Sequence, residues 1–370
     1  MSIFKATRIA LLVGGIWIAS VPVAEVFFRA IGDRPSDDLS GLFAAFRDGS
    51  YRLAKNIDTK AIWASGSFTV HTDELGLRCD EARRYAVKPE TRLSGIFLGD
   101  SQGFGNGVSF EESLAGVASV LARAEGLHIG NTSVGGHAIR NQLDIALWLK
   151  SEHGVSASEY ILLATPLMVQ NPDSFTRSNV GADGRLYEAP MRGAAVARLW
   201  AKTHLVVYNR WRDALRNSAF EGKKNDDSDQ VLQLYAKGEK QNQNAAALLN
   251  LLKEVRAFTK ENNARLHLIY VPLSVEADFG GMEDSAVRRG LTLDRNLPAD
   301  TLSAIASELG VTFTDLRPTL HRLHQAGDPL RLKGDFHYGR PLSKACGETI
   351  WDELKSHLKA VPATPPSLFK

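Results

Sequence analysis

Two short stretches carry residue types that could react together. One is Phe97-Leu-Gly-Asp-Ser-Gln-Gly-Phe-Gly-Asn-Gly-Val108, where an apolar run ends at Ser101 and alternating glycines follow. The other is Gly334-Asp335-Phe336-His337-Tyr338, more than two hundred residues further on. A serine hydroxyl is a weak nucleophile until a base takes its proton, and that base works best when a carboxylate orients it. Ser101, His337 and Asp335 are therefore candidates for nucleophile, general base and orienting acid. The glycine loop has a rival reading as a phosphate cradle. A dinucleotide fingerprint needs G-x-G-x-x-G and an acidic residue at the end of the second strand. Gly103, Gly105 and Gly107 give G-x-G-x-G instead, the second strand ends in Asn131-Thr132, and no Gly-Lys-Ser/Thr is present. No cofactor is expected. With no HExxH or CxxC and no clustered His/Cys spacing, no metal is expected either.

For Ser101 and His337 to meet, the chain must return both to one edge of the fold. Short β-rich runs occur at Gly95–Leu98, Leu127–Gly130, Tyr160–Thr165, Leu266–Pro272 and Val311–Asp315. Between them, apolar residues recur at helical spacing: Leu114/Val117/Ala118/Leu121, Ile139/Leu143/Ala146/Leu147, Leu248/Leu252/Val255/Phe258 and Leu302/Ile305/Leu309. Asp300 is placed to cap the last of these, Gly310 to stop it, and Ser343 to cap a final helix through Ile350 and Leu354. Alternating strands and helices predict an α/β fold with a mostly parallel five-stranded sheet covered on both faces. Such sheets place their sites at the carboxyl ends of the strands. Ser101 follows the first strand and Asp335-Phe-His337 the last, so both fall at that edge.

With these blocks assembled, the chain resembles the SGNH (GDSL-type) hydrolases, in particular their membrane-anchored bacterial branch. Leu75-Gly-Leu-Arg78 is similar to that branch's lead-in, Gly99-Asp-Ser101 with Phe104-Gly-Asn-Gly-Val108 to its first block, and Glu111-Glu112 to the acidic start of the next helix. Asn131-Thr-Ser-Val-Gly-Gly136 is similar to the second block, and Gly334-Asp-Phe-His-Tyr338 to the last. The resemblance covers about residues 65–358 and implies a three-layer α/β/α sandwich of the flavodoxin-like SGNH type. It implies Ser101 as nucleophile, His337 as base and then acid, Asp335 as orienting carboxylate, and the N–H groups of Ser101 and Gly136 as oxyanion donors. The family's third donor is an asparagine after the third strand, and here this sequence departs. Ala164-Thr-Pro-Leu-Met-Val-Gln-Asn171 puts apolar residues at that point. Either Asn171 loops back, Gln170 or Thr165 substitutes, or the hole is incomplete. Leu342 stands where the family often has a glycine. Asp100 reads as a structural partner under the loop, and His137 as a residue of either the pocket or the surface.

The rest of the chain bounds where this chemistry takes place. Lys+Arg 44 against Asp+Glu 42, without a basic patch, gives no sign of a nucleic-acid partner. Lys5 and Arg8 precede an apolar run that, counted across Glu25 to Phe28, reaches about twenty residues, the length of a bilayer-spanning helix. Pro22 and Ala24 make a poor signal-peptidase site, so an uncleaved signal anchor is favoured over a cleaved signal. Glu25 and Arg29 lie one helical turn apart and could pair. Positive charge on the short leading flank predicts a cytoplasmic N-terminus and a periplasmic or extracytoplasmic domain, single-pass in a bacterial inner membrane. There Cys79 and Cys346, the only cysteines, could form a disulfide or remain isolated buried thiols. The expected organisation is an anchor (1–30), a juxtamembrane stalk (31–60), a hydrolase-like domain (61–360) with an insertion at about 170–244, and a disordered tail (361–370). The expected function is a serine esterase or O-acyltransferase acting on acyl esters of an envelope or exported glycan, O-acetyl esters above all. A lipid-directed hydrolase and a non-catalytic glycan-binding assembly protein are the alternatives.

Overall fold

The computed structural model describes residues 20–30, 39–63, 66–172, 179–181, 184–187, 200–201, 205–208, 210, 226–332 and 335–358. It divides into two compact units, residues 1–38 with 190–225 and residues 39–189 with 226–370. In the first, residues 20–30 are helical, and Arg29 Nε donates to Glu25 Oε1 at 2.7 Å, the pair expected from their spacing. Glu25 also accepts the N–H groups of Val206 and Val207. Among the described residues no helix is long and apolar enough to cross a membrane. Residues 1–19 of the expected anchor and the expected tail at 361–370 lie outside the described residues.

Among the described residues the second unit holds fourteen strands. In chain order, β1 (Phe43–Ala45) pairs with β2 (Tyr51–Leu53), and β3 (Asp58–Trp63), β4 (Gly66–Thr72) and β5 (Arg78–Cys79) form an antiparallel meander. β6 (Arg92–Leu93) pairs with β9 (Ser156–Ala157), and β11 (Asn179–Val180) with β12 (Leu186–Tyr187). The central sheet contains β7 (Gly95–Gly99), β8 (Ile129–Asn131), β10 (Glu159–Ala164), β13 (Arg265–Tyr270) and β14 (Thr312–Asp315). All four of its pairings are parallel, in the order β14-β13-β10-β7-β8. These are the five runs expected from the sequence. The strand order reverses between β7 and β10, which opens a crevice at their carboxyl ends.

Side chains alternate across a strand, so the inner strands β7, β10 and β13 each feed two cores. Ile96, Leu98, Tyr160, Leu162, Leu266 and Leu268 join the helices at Ile139–His153, Glu239–Glu261 and Leu297–Leu309 on one face. Phe97, Ile161, Leu163 and Ile269 join those at Leu114–Ala124, Arg317–Ala326 and Arg340–Leu354 on the other. This is the three-layer α/β/α arrangement. Two helix starts differ from expectation. Asn296 rather than Asp300 precedes the helix at 297, and Gly339 rather than Ser343 precedes the helix at 340. In both cases a proline occupies the first turn, where its missing N–H costs nothing, so the helix begins earlier. Gly310 does end its helix, in the left-handed conformation.

Two boundaries are corrected. From Leu39 onward the expected stalk is folded: β1, β2 and half of β3 lie within residues 39–60, and Tyr51 and Leu53 are fully buried. Three-residue strands place too few apolar side chains in sequence to stand out from a polar composition. The expected insertion also shrinks, because residues 226–244 belong to the second unit as a helix at Asp226–Tyr235 and the start of Glu239–Glu261. Cys79 and Cys346 are free, buried thiols in separate apolar clusters, and burial pushes Cys79 up to about 12. Leu342 is a core residue.

Candidate active site

β7 ends at Gly99, and the next two residues turn the chain into a four-residue helix, Ser101–Phe104. Asp100 makes the turn rigid. Its Oδ1 accepts the Gln102 N–H at 2.9 Å, and its Oδ2 accepts the Thr165 hydroxyl at 2.6 Å. That second bond ties the end of β7 to the end of β10 across the crevice. Burial raises the Asp100 pKa, and the Thr165 and Gln102 bonds only partly offset it. Asp100 is thus the structural partner expected. Asn131 braces the same turn from β8, donating to the Gly103 carbonyl at 3.1 Å.

Arg78 holds the far side of the loop. Its guanidinium is fully buried without a carboxylate partner among the described residues, donates to the carbonyls of Phe104, Gly105 (3.1 Å) and Val108 (2.6 Å), and lies 4.3 Å over the Phe104 ring. Burial lowers its pKa to about 9. Gly105 needs to be glycine twice over. Its φ is +84°, and a Cβ there would stand 2.4 Å from Ser113 Cβ. The arginine of the lead-in and the glycines of the first block therefore form one device.

The distant block arrives at this turn. His337 Nε2 lies 2.8 Å from Ser101 Oγ, and His337 Nδ1 lies 2.8 Å from Asp335 Oδ1. A carboxylate can only accept, so Nδ1 carries the proton and Nε2 is left free to take one from the serine. Asp335 Oδ1 also accepts the His337 N–H at 3.1 Å. Burial pulls the Asp335 pKa upward, but hydrogen bonds and charge from His337, with the Trp63 indole, outweigh it and leave the group below its usual value. Ser101, His337 and Asp335 are thus brought together as expected.

Trp63 is a residue that sequence reasoning missed. It closes β3 opposite Gly66, its indole N–H donates to Asp335 Oδ2, and its ring meets the His337 ring edge-on at 5.5 Å. Phe336 stacks on the same imidazole at 4.4 Å. Tyr51, within the expected stalk, was missed as well. Its hydroxyl donates to the Gly135 carbonyl at 2.7 Å, beneath the turn that carries Gly136. Gly136 has φ +80°, and a Cβ on it would lie 2.6 Å from that hydroxyl. His137 is buried behind this turn, not on the surface: Nε2 donates to the Tyr51 carbonyl at 2.9 Å, and Nδ1 accepts from Gln142 at 3.0 Å. Burial pushes its pKa down to about 3, so it stays neutral and structural.

The three expected sources of a further oxyanion donor lie as follows. Thr165 is committed to Asp100, and Gln170 accepts from Asn244 at 3.3 Å. Asn171 is the exposed C-cap of the helix Pro166–Gln170, with its N–H on the Leu167 carbonyl. A different amide, that of Asn106, lies beside Gly135, as Ser101 does. A Cβ on Gly135 would stand 3.7 Å from both Ser101 Cβ and Asn106 Oδ1, and 3.8 Å from Asn106 Nδ2. Asn106 is buried, and its side chain makes no hydrogen bond to another described residue. Its signal was a side-chain amide set between Gly105 and Gly107. Among the described residues no group of three or more His, Cys, Asp or Glu side chains could hold a metal ion.

No family model matches the chain, and no curated protein does. Among solved structures it is similar to an acetyl xylan esterase at 14% identity, over 71% of this chain and 100% of the other, with a TM-score of 0.38. An acetylxylan esterase from Geobacillus stearothermophilus is similar at 12% identity over 75% and 99% of the two chains, with a TM-score of 0.37. A lipolytic protein of the G-D-S-L family from Desulfitobacterium hafniense is similar at 13% identity over 71% and 98%, with a TM-score of 0.35.

Proposed function

We propose that the chain is a serine esterase or O-acyltransferase acting on acyl esters, O-acetyl esters of an envelope or exported glycan above all. The observation that carries the reading is the unbroken line Ser101 Oγ–His337 Nε2–Asp335 Oδ1, with both links at 2.8 Å. His337 takes the Ser101 proton as the oxygen attacks the acyl carbonyl, and Asp335 stabilises the imidazolium that forms. The carbonyl oxygen becomes an oxyanion, received by the N–H groups of Ser101 and Gly136 and by the Asn106 amide in place of Asn171. His337 then returns its proton to the leaving alcohol, leaving an acyl-Ser101 ester. Water or a sugar hydroxyl, deprotonated by the same His337, attacks that ester and frees the serine.

The positively flanked apolar N-terminus supports a membrane-tethered, extracytoplasmic placement. A reporter fused to the C-terminus tests it: activity outside the cytoplasm is expected, and activity inside overturns the orientation. Purified protein should release p-nitrophenol from p-nitrophenyl acetate, and Ser101→Ala should not. Equal release by both would overturn the serine mechanism, and a strong preference for long acyl chains would redirect the reading to lipids. Mass measurement of an acceptor oligosaccharide for a gained acetyl group separates transfer from hydrolysis.

A further inference from the structure

β13 and β14 end beside a second feature that the triad does not use. After Tyr270 the chain turns through Val271-Pro-Leu-Ser-Val-Glu276, and Glu276 folds back under the turn. Its Oε1 is fully engaged, accepting the Tyr235 hydroxyl at 2.7 Å, the Tyr270 hydroxyl at 3.0 Å and the Leu273 N–H at 2.8 Å. Its Oε2 is buried and has no partner, although the residue is only 2% exposed. An orphaned buried acceptor is costly unless something fills the position.

Glu276 forms part of the wall of a cavity of about 250 Å³, together with Arg295, Asn296, Asp315, Arg317 and His321. Arg317 is paired there with Asp315 Oδ2 at 2.7 Å and donates to Asn296 Oδ1 at 2.7 Å. Arg295 has no carboxylate partner among the described residues and lies 5.3 Å over the Phe279 ring. The cavity therefore offers an acceptor at depth and a guanidinium donor at the rim. A bare cation would meet two arginines, and a bare anion would meet the Glu276 oxygen. A neutral ligand with several hydroxyl groups satisfies both, donating to Oε2 and accepting from Arg295. The volume suits one sugar ring rather than a longer chain.

We propose that this cavity is a binding subsite for a neutral polyhydroxylated ligand, one residue of a glycan; this rests on the glycan reading of the triad. The turn that bears Glu276 is fastened to the catalytic loop. Ser274 Oγ donates to the Phe336 carbonyl at 3.3 Å, and the Tyr338 hydroxyl donates to the Pro272 carbonyl. A sugar held here would anchor an oligosaccharide whose other residues run toward Ser101.

Isothermal titration of the full chain in detergent with cellotetraose, xylotetraose and chitotetraose tests the proposal, using Ser101→Ala so that turnover does not interfere. At least one oligosaccharide should bind, and adding Glu276→Gln or, separately, Arg295→Ala should weaken it about tenfold or more, the loss of one buried or charged hydrogen bond. Glu276→Gln keeps the acceptor for both tyrosines, and Arg295 is exposed, so folding is preserved in at least one variant. Absence of binding to all three sugars, or unchanged affinity in both variants, would overturn the proposal. So would binding confined to a charged sugar such as glucosamine or glucuronate. Ester hydrolysis by the wild type without sugar binding removes only the subsite. Sugar binding without hydrolysis removes only the serine mechanism.

Discussion

The loop Asp335–Tyr338 and the strands β2 and β3 reach the site from opposite ends of the chain and contribute different things. The loop supplies reacting atoms, with acid and base two residues apart and joined at 2.8 Å. The strands supply no reacting atom. Trp63 fixes the second oxygen of Asp335, and Tyr51 fixes the turn that carries Gly136. Reactivity is thus local, while orientation is assembled over long range. A substitution in the loop should remove the chemistry, whereas one in the strands should leave it working from a poorer geometry.

The largest effect should come from the reacting groups. Ser101→Ala or His337→Ala should lower kcat on p-nitrophenyl acetate by about 10⁴-fold or more, because triad members act as a unit. A residual rate near wild type would end the distinction between the two regions. Next, Asn106→Ala should lower kcat about 100-fold with little change in KM, the usual cost of an oxyanion donor. If Asn171→Ala gives that loss instead, the third donor has been misplaced.

Trp63→Phe should cost about tenfold in kcat/KM, consistent with loss of one hydrogen bond to a charged group. It should also raise the Asp335 pKa, since the indole is one of the groups holding it down. An ionised Asp335 is what orients His337, so the acid limb of the pH–rate profile should move to higher pH. An unchanged acid limb would make Trp63 merely a packing residue. Tyr51→Phe should have a smaller effect, about threefold in kcat, with a stability loss of about 1 kcal/mol for one neutral hydrogen bond.

The smallest effect lies outside the triad. Burial raises Glu276 to about 7, partly offset by the Tyr235, Leu273 and Tyr270 hydrogen bonds. Between about pH 4.5, near its unfolded pKa, and pH 7 the folded state binds the extra proton, so stability falls as pH rises through that window. Glu276→Gln should flatten this part of a Tm–pH series. A wild-type Tm that climbs across the window would contradict the raised value.

Much of the positioning framework was legible because it obeys short-range rules. The inner strands β7 and β10 and most of β13 are buried, largely apolar runs, as strands covered on both faces must be. Ser101 stands at a strand end beside glycines, and Asp335-Phe-His337 stands in the loop beyond the helix Arg317–Ala326 that follows β14. Tyr51 and Trp63 gave no such signal. Each lies in a short strand of mixed composition, and its partner is 84 or 272 residues away. Asn106 was within the quoted loop, yet the resemblance pointed to the third strand, where the Thr165 hydroxyl serves Asp100 instead.

The most direct test is the covalent state of Ser101. The protein is mixed with excess p-nitrophenyl acetate, quenched in acid within the first turnovers, digested and weighed. One acetyl group on the peptide containing Ser101, absent in His337→Ala, is the result expected. No adduct on Ser101, or an equal adduct when His337 is gone, would contradict the account.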